Sequence, residues 1–214
     1  MKKTLRTIIS LLLLLSMFSL TACSNSKVKN VVALIDNIGE VTVDSKDAID
    51  SAFKAYNSLE ERDKKSVENI EKLNEAKKAF KKLEPQYIKK VVSEYEIQFS
   101  DFDYNNLKKF VLEYHDKLNK KQVKIIGCAI GKCKLEELVI PLVKNKMKDP
   151  NSFELVSFDP GYVTPSTDGN YCSSIELTYR GTNSFGGVVT ETERGLIKFR
   201  VNFESCSISY ISYY

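Results

Sequence analysis

The sequence predicts an α+β protein, with a small N-terminal helical bundle followed by helices packed on one face of a C-terminal antiparallel sheet. Apolar residues recur at helical spacing through the first two thirds of the 214-residue chain. From Phe153 onward the period drops to two, and turn residues separate the apolar runs. Strands with one apolar face need a cover on that face, and the helix predicted for residues 133–147 can provide it.

Three amphipathic helices are predicted in the helical module, residues 30–84. Gly39 is well placed to stop the first of them. No such short helix can bury its apolar stripe alone, so the three should pack as a small bundle. The apolar stripes comprise Val31, Leu34, Ile35 and Ile38, then Ile49, Ala52, Phe53, Tyr56 and Leu59, then Val67, Ile70, Leu73, Ala76, Phe80 and Leu83.

A helical connector is predicted for residues 85–132. Pro85 should end or kink the third helix, because the residue before a proline is pushed out of helical geometry. Asp103 can cap the next helix. Gly127 and Gly131 interrupt the apolar run that follows, and Pro141 should kink or split the helix beyond it.

An α+β domain with an antiparallel meander is predicted for residues 133–214. Lys148 and the residues after it lead into the first strand, and Gly186 with Gly187 permits a tight reversal. The clearest alternation is that of Ile197, Phe199, Val201 and Phe203. The strands are predicted over 153–158, 175–179, 188–192, 197–203 and a last run that contains Cys206, Ile208 and Tyr210.

The chain begins with an export signal. Residues 1–6 carry the basic side chains of Lys2, Lys3 and Arg6, and residues 8–20 are almost wholly apolar but fewer than the ~20 residues of a membrane span. Leu20-Thr21-Ala22-Cys23 resembles the lipobox of bacterial lipoproteins. The resemblance implies a signal peptide over 1–22, a diacylglycerol with chains such as palmitate on Cys23, and a tether over 23–29. The alternative is an ordinary secretory signal that a cysteine happens to follow.

The lipobox resemblance implies a protein anchored in the membrane through Cys23, on its extracytoplasmic face. Two acyl chains anchor stably, at ~0.8 kcal/mol per buried methylene group. Net charge indicates no nucleic-acid partner. Three of the 32 basic residues and none of the 28 acidic residues lie in the leader, so the rest of the chain carries 29 against 28.

Two further segments resemble known modules, and neither resemblance implies an activity. Residues 29–83 resemble a helical module of Gram-positive surface proteins, through the run Ile35–Thr42 and several later positions. The C-terminal part resembles a domain of uncharacterised lipoproteins and exported proteins of Gram-positive bacteria. The residues that carry this second resemblance are 148–153 and 183–187.

Four cysteines remain after Cys23, and an even number in an exported chain permits disulfides. We predict that Cys172 and Cys206 are neighbours in the sheet and form one bond, and that Cys128 and Cys133 form a local one. Four reduced, buried thiols are the alternative. A zinc site is a third reading, for which the spacing is poor. No metal and no cofactor is expected.

The expected function is that of a binding or interaction module at the cell envelope, with an unidentified envelope protein or ligand as partner. Loops on a rigid sheet are where recognition residues are usually placed, and Tyr162, Tyr171, Asn183 and Phe185 are the candidates. Hydrolase motifs are absent from the sequence, and His115 is its one histidine, so no enzyme is predicted. The alternatives are an envelope enzyme with a cysteine or carboxylate site, and a structural spacer.

Overall fold

A computed structural model describes residues 26–97 and 103–214. The predicted α+β class is confirmed, with helices in the N-terminal part and an antiparallel sheet at the C-terminal end. The described residues form two compact units, which divide between Tyr87 and Ile88. Most of the connector predicted for residues 85–132 therefore belongs to the same unit as the sheet.

The first unit is built on three helices: α1 (residues 26–36), α2 (Lys46–Asn57) and the first part of α4 (Ile70–Ile97). A single turn, α3 (Glu61–Lys64), lies between α2 and α4. Gly39 adopts a φ of +62°, which lets the chain reverse after α1 as the sequence predicted. The core of this unit comprises Val28, Val31, Ile35, Ile38, Ile49, Ala52, Leu59, Val67, Leu73, Ala76 and Phe80.

Helix α4 continues through Pro85, so the prediction that the helix ends at Glu84 is wrong. A proline in a helix removes one amide donor and leaves the carbonyl four residues earlier, that of Lys81, without its helical partner. Both Pro85 and Lys81 are exposed, so water can solvate that carbonyl. The helix then continues to Ile97. Its opposite face is buried at Ile88 and Val92, and this burial stabilises the part of the helix after the proline.

Two further helices lead into the sheet. Helix α5 (Tyr104–Tyr114) begins at Asp103, whose side chain accepts a hydrogen bond from the Asn105 amide as the predicted cap should. A 3₁₀ turn (His115–Lys117) follows, and then α6 (Lys120–Lys144). Asn119 and Gln122 cap α6 reciprocally: the Asn119 side chain accepts from the Gln122 amide, and the Gln122 side chain accepts from the Asn119 amide.

Helix α6 is continuous across every interruption predicted for it. The boundary predicted between residues 132 and 133 falls inside the helix. Pro141 does not split it, because Pro141 and Glu137, the residue whose carbonyl loses its partner, both face solvent. Gly127 and Gly131 are buried helical residues, and their lack of side chains is used for close packing against the sheet.

A 3₁₀ turn (Pro150–Ser152) precedes a five-stranded antiparallel sheet. The strand order is β1-β3-β4-β5, and β2 pairs with β3 on the same side as β1. Strand β2 was not predicted, and the two strands predicted over 188–192 and 197–203 are one long strand. The strands are β1 (Glu154–Asp159), β2 (Val163–Pro165), β3 (Tyr171–Thr182), β4 (Val188–Asn202) and β5 (Ser207–Tyr213).

The predicted helical cover of the apolar face is confirmed, and α6 runs along β3 in the same direction. Gly127 of α6 faces Tyr171 at the start of β3, and Met147, just beyond α6, faces Gly181 near its end. The two spans match, since twenty residues at helical rise cover about 30 Å and ten strand residues about 33 Å. Odd-numbered residues of β3 face this cover, and even-numbered residues form the open face.

Candidate functional site

The turn between β3 and β4, with the first residue of β4, forms a hairpin tip (residues 183–188) that Asn183 organises. The Asn183 side-chain oxygen accepts hydrogen bonds from the amides of Phe185 at 2.9 Å and Gly187 at 3.0 Å. The Asn183 amide donates to the Gly187 carbonyl at 2.9 Å, which closes the turn. Gly186 has a φ of +80°, which favours glycine at this position. Asn183, predicted as a recognition residue, thus fixes the shape of the tip.

Two apolar side chains project from this hairpin tip. Phe185 is 96% exposed and Val188 is 73% exposed. Val188 was not predicted as a site residue. The alternation of residues along the strand could have identified it. Val188 lies on the same face of β4 as Thr190 and Thr192, which is the open face of the sheet.

Tyr162 is also exposed, as expected of a loop residue, but it does not join Phe185 in one surface. It directly precedes β2, whose Val163 pairs with Ser173 near the start of β3. Phe185 lies beyond Thr182, the last residue of β3. The nine residue steps from Ser173 to Thr182 span about 30 Å, so Tyr162 and Phe185 lie at opposite ends of β3.

Tyr171 is a core residue, so its prediction as a recognition residue is wrong. Its side chain is 4% exposed, and its ring stacks on that of Phe199 with 5.8 Å between centroids. The hydroxyl donates to the carbonyl of Val123 in α6 at 3.1 Å. Burial, with a smaller contribution from the nearby Cys128 thiol, raises the pKa of Tyr171 to about 12. Tyr171 is the first residue of β3 and lies on its odd-numbered, covered face. The turn residues just before it in the sequence led to its prediction as a loop residue.

The open face of the sheet carries charged side chains that pair with one another. Arg194 donates to Glu176 at 2.7 Å and Lys198 donates to Asp168 at 2.6 Å, each pair crossing between elements. The hydrogen bond from Lys198 is the main reason that the pKa of Asp168 lies well below its ordinary value. All four side chains are solvated, and exposed pairs of this kind contribute little to stability. The face therefore presents balanced charge to water.

The four cysteines are free thiols, and neither predicted disulfide is formed. Cys172 lies on β3, whereas Cys206 lies in the turn between β4 and β5, so β4 separates them and they are not neighbours in the sheet. Cys128 and Cys133 lie five residues apart on α6. At that spacing helix geometry places Cα atoms about 9 Å apart, beyond the ~7 Å that a disulfide tolerates.

The environments of Cys133 and His115 give no sign of a nucleophile and base. Burial, followed by the neighbouring Cys206, raises the pKa of Cys133 to about 11, which suppresses the reactive thiolate. His115 follows α5, and its Nδ1 lies 3.1 Å from the Val111 carbonyl. Within residues 26–97 and 103–214, no three side chains of the metal-ligating types come together as a metal site.

Cys23 and the whole leader lie outside the described residues, so the lipobox prediction stays a prediction. Of the helices within the described ranges, none combines the length and apolar character that crossing a bilayer requires. No protein-family model, curated protein or solved structure matches the chain.

Proposed function

We propose that the protein is a lipoprotein, anchored through Cys23 on the extracytoplasmic face of the cell membrane, that binds a partner in the cell envelope through its hairpin tip. The observation that carries the binding role is Phe185, which is 96% exposed on a turn held by Asn183. The observation that carries the location is the leader with its Leu20–Cys23 motif.

Phe185 is suited to recognition because its ring is exposed to water on a hydrogen-bonded turn. Fully burying a phenylalanine side chain contributes about 1.5–3 kcal/mol, and this gain is available to a partner. The two hydrogen bonds from Asn183 fix the turn before binding, which lowers the entropy lost on association. Val188, 73% exposed, extends the same apolar tip.

Catalysis has less support than binding. The half-buried thiols of Cys128 and Cys133 both have a pKa raised to about 11, chiefly by desolvation. The carboxylates of Glu176, on the open face, and Asp168, in the loop before β3, have basic partners and lowered pKa values, so they are weak proton acceptors. A pure spacer would not need the covered, regularly paired sheet.

Replacing Cys23 with alanine should abolish lipid attachment, because cysteine provides the one thiol that can carry the thioether. Cells that express the full chain are fed radiolabelled or alkyne-tagged palmitate, and the label on the protein is measured after detergent phase partitioning. We expect complete loss of label and accumulation of the uncut precursor for Cys23→Ala. Cys172→Ala is the matched control and should keep the label. A Cys23→Ala chain that is still cleaved at the same bond and labelled contradicts the anchor.

Photo-crosslinking through Phe185 tests the recognition role in the intact cell. The full chain carries a benzophenone amino acid at position 185, or at Thr190 on the same hairpin as the matched control. We expect a discrete crosslinked species from position 185 only, and at least a tenfold loss of co-purified partner for Phe185→Ala. Equal crosslinking from both positions, or unchanged co-purification, would contradict the role of the tip while leaving the anchor in place.

A further inference from the structure

Cys206 occupies an unusual backbone position. It is the last residue of the turn between β4 and β5, and its φ of +51° lies in the left-handed region. Among the residues of the described ranges that are not glycine, it is the only one with a positive φ. Glycine or asparagine is ordinarily selected there, so a cysteine that is 0% exposed needs a reason of its own.

The side chains around Cys206 bring the turn against α5 and α6. Tyr104, the first residue of α5, donates its hydroxyl proton to the Cys206 carbonyl at 2.6 Å. The ring of Tyr104 lies under the ammonium group of Lys134, 4.0 Å from the ring centroid. Lys134 directly follows Cys133 in α6, so the helix segment that holds Cys133 and the turn that holds Cys206 contact the same tyrosine.

The electrostatics of the cluster agree with this geometry. Burial is the largest cause that raises the pKa of Tyr104 to about 12, and Cys206 and Cys133 both add to the rise. Cys206 is also the first group after burial that raises the pKa of Cys133. Each of the three groups therefore lies within electrostatic reach of the other two, although Tyr104 and Cys206 are 102 residues apart in sequence.

We propose that Cys133 and Cys206, which are free thiols in this structure, form a disulfide on oxidation that fastens α6 to the turn between β4 and β5. The two S–H bonds break and one S–S bond forms, while two electrons and two protons pass to the disulfide of a thiol oxidase, which leaves as a dithiol. The proposal rests on the proposed export for access to that oxidant. It does not depend on the role of Phe185.

The bond would be a structural clamp rather than a switch. Thiol–disulfide exchange is slow when the departing thiolate has a high pKa, and desolvation raises the pKa of both Cys133 and Cys206. Cys206 itself is also shielded from reductants once the chain has folded, since it is 0% exposed. A bond between these residues joins two elements distant in sequence, and long loops give the largest stabilisation in the chain-entropy description.

Trypsin separates all four cysteines, which makes the pairing directly measurable. Cleavage after Lys124, Lys132 and Lys134 places Cys128 in peptide 125–132 and Cys133 in the dipeptide 133–134. Cleavage after Arg180 and Arg200 leaves Cys172 in peptide 149–180 and Cys206 in peptide 201–214. A bond between Cys133 and Cys206 therefore appears as peptide 201–214 carrying a Cys-Lys adduct.

The full chain is purified reduced in detergent, unfolded in urea, refolded in the presence of glutathione disulfide, alkylated under denaturing conditions and digested. We expect the Cys-Lys adduct on peptide 201–214, alkylated Cys128 and Cys172, and a melting temperature roughly 5–15 °C higher than that of the reduced chain. The double variant Cys128→Ser/Cys172→Ser should keep the adduct and the shift, and Cys133→Ser should lose both. If a variant fails to fold, the peptide map of the oxidised wild-type chain alone tests the pairing.

Alkylated Cys133 and Cys206 after oxidation, or any other pairing, would overturn the proposal. The chain is also isolated from cells under acid, which stops thiol–disulfide exchange, and is digested in the same way. This second measurement distinguishes failure of the proposed pairing from failure of the proposed location. An adduct found in the purified, oxidised chain but missing from cells supports the pair and counts against export. An adduct found in both supports the two together.

Discussion

Gly127→Ala is expected to destabilise the sheet-containing unit, although the same substitution in an open helix would stabilise it by about 1 kcal/mol. A Cβ at residue 127 would lie 2.0 Å from the hydroxyl oxygen of Tyr171 and 2.1 Å from the ring carbon that bears it. Either α6 must move off the sheet or the Tyr171 ring must leave its stack on Phe199 and its hydrogen bond to Val123, and both changes are costly. Overpacking of this kind costs ~1–3 kcal/mol, and subtracting the gain in helix propensity leaves an expected net loss of up to about 2 kcal/mol.

Hydrogen exchange measured on β3 and β4 peptides in increasing urea reports this unit without interference from the helical one. Gly187→Ala is the control, because its added Cβ meets nothing closer than 3.5 Å. A double-mutant cycle with Tyr171→Val identifies the cause: without the ring, Gly127→Ala should cost much less. Strictly additive costs would show that the close approach of α6 to Tyr171 is not what limits residue 127.

Phe199→Ala and Phe185→Ala should differ by several kcal/mol in their effect on stability, although the chemical change is identical. Phe199 is 0% exposed, stacks on Tyr171 and packs against the bare backbone of Gly131. Its truncation leaves a cavity and should cost about 3–5 kcal/mol. Phe185 is 96% exposed and touches little, so its truncation should stay within about 0.5 kcal/mol.

The urea dependence of exchange at the β3 and β4 amides, measured for both variants and for the unaltered chain, provides the comparison. The expected order is a large loss for Phe199→Ala and none for Phe185→Ala. A destabilised Phe185→Ala chain would mean that the hairpin tip packs against protein, and it would remove the basis for assigning recognition to Phe185.

Periodicity was sufficient to predict the fold class and most elements, because burial repeats regularly along helices and strands. The alternation of Ile197, Phe199 and Val201 predicted a half-buried strand, and the structure buries all three on one face. Asp103 was recognisable as a helix cap because capping is a local hydrogen bond. These are properties of short stretches of chain, and neighbouring residues are enough to decide them.

Prolines misled the prediction of helix ends for a reason that local sequence does not contain. Pro85 and Pro141 each remove one helical hydrogen bond, and the cost depends on whether water reaches the freed carbonyl. Both prolines face solvent, so both helices continue. Which side of a long helix faces solvent depends on what packs against it, and that is a tertiary property.

The sequence by itself determined the basic and then apolar pattern that ends at Leu20–Cys23, from which the lipid anchor is predicted, the balanced charge of the residues after it, and the succession of helices followed by strands. Only the tertiary structure decided that Tyr171 is buried while Phe185 is exposed, and that the Cys206 turn contacts Tyr104 of α5 rather than lying beside Cys172. The physical reason is range. Helical and strand periods repeat within a few residues, whereas burial and the meeting of cysteines depend on α6 packing along the sheet, between residues far apart in the chain.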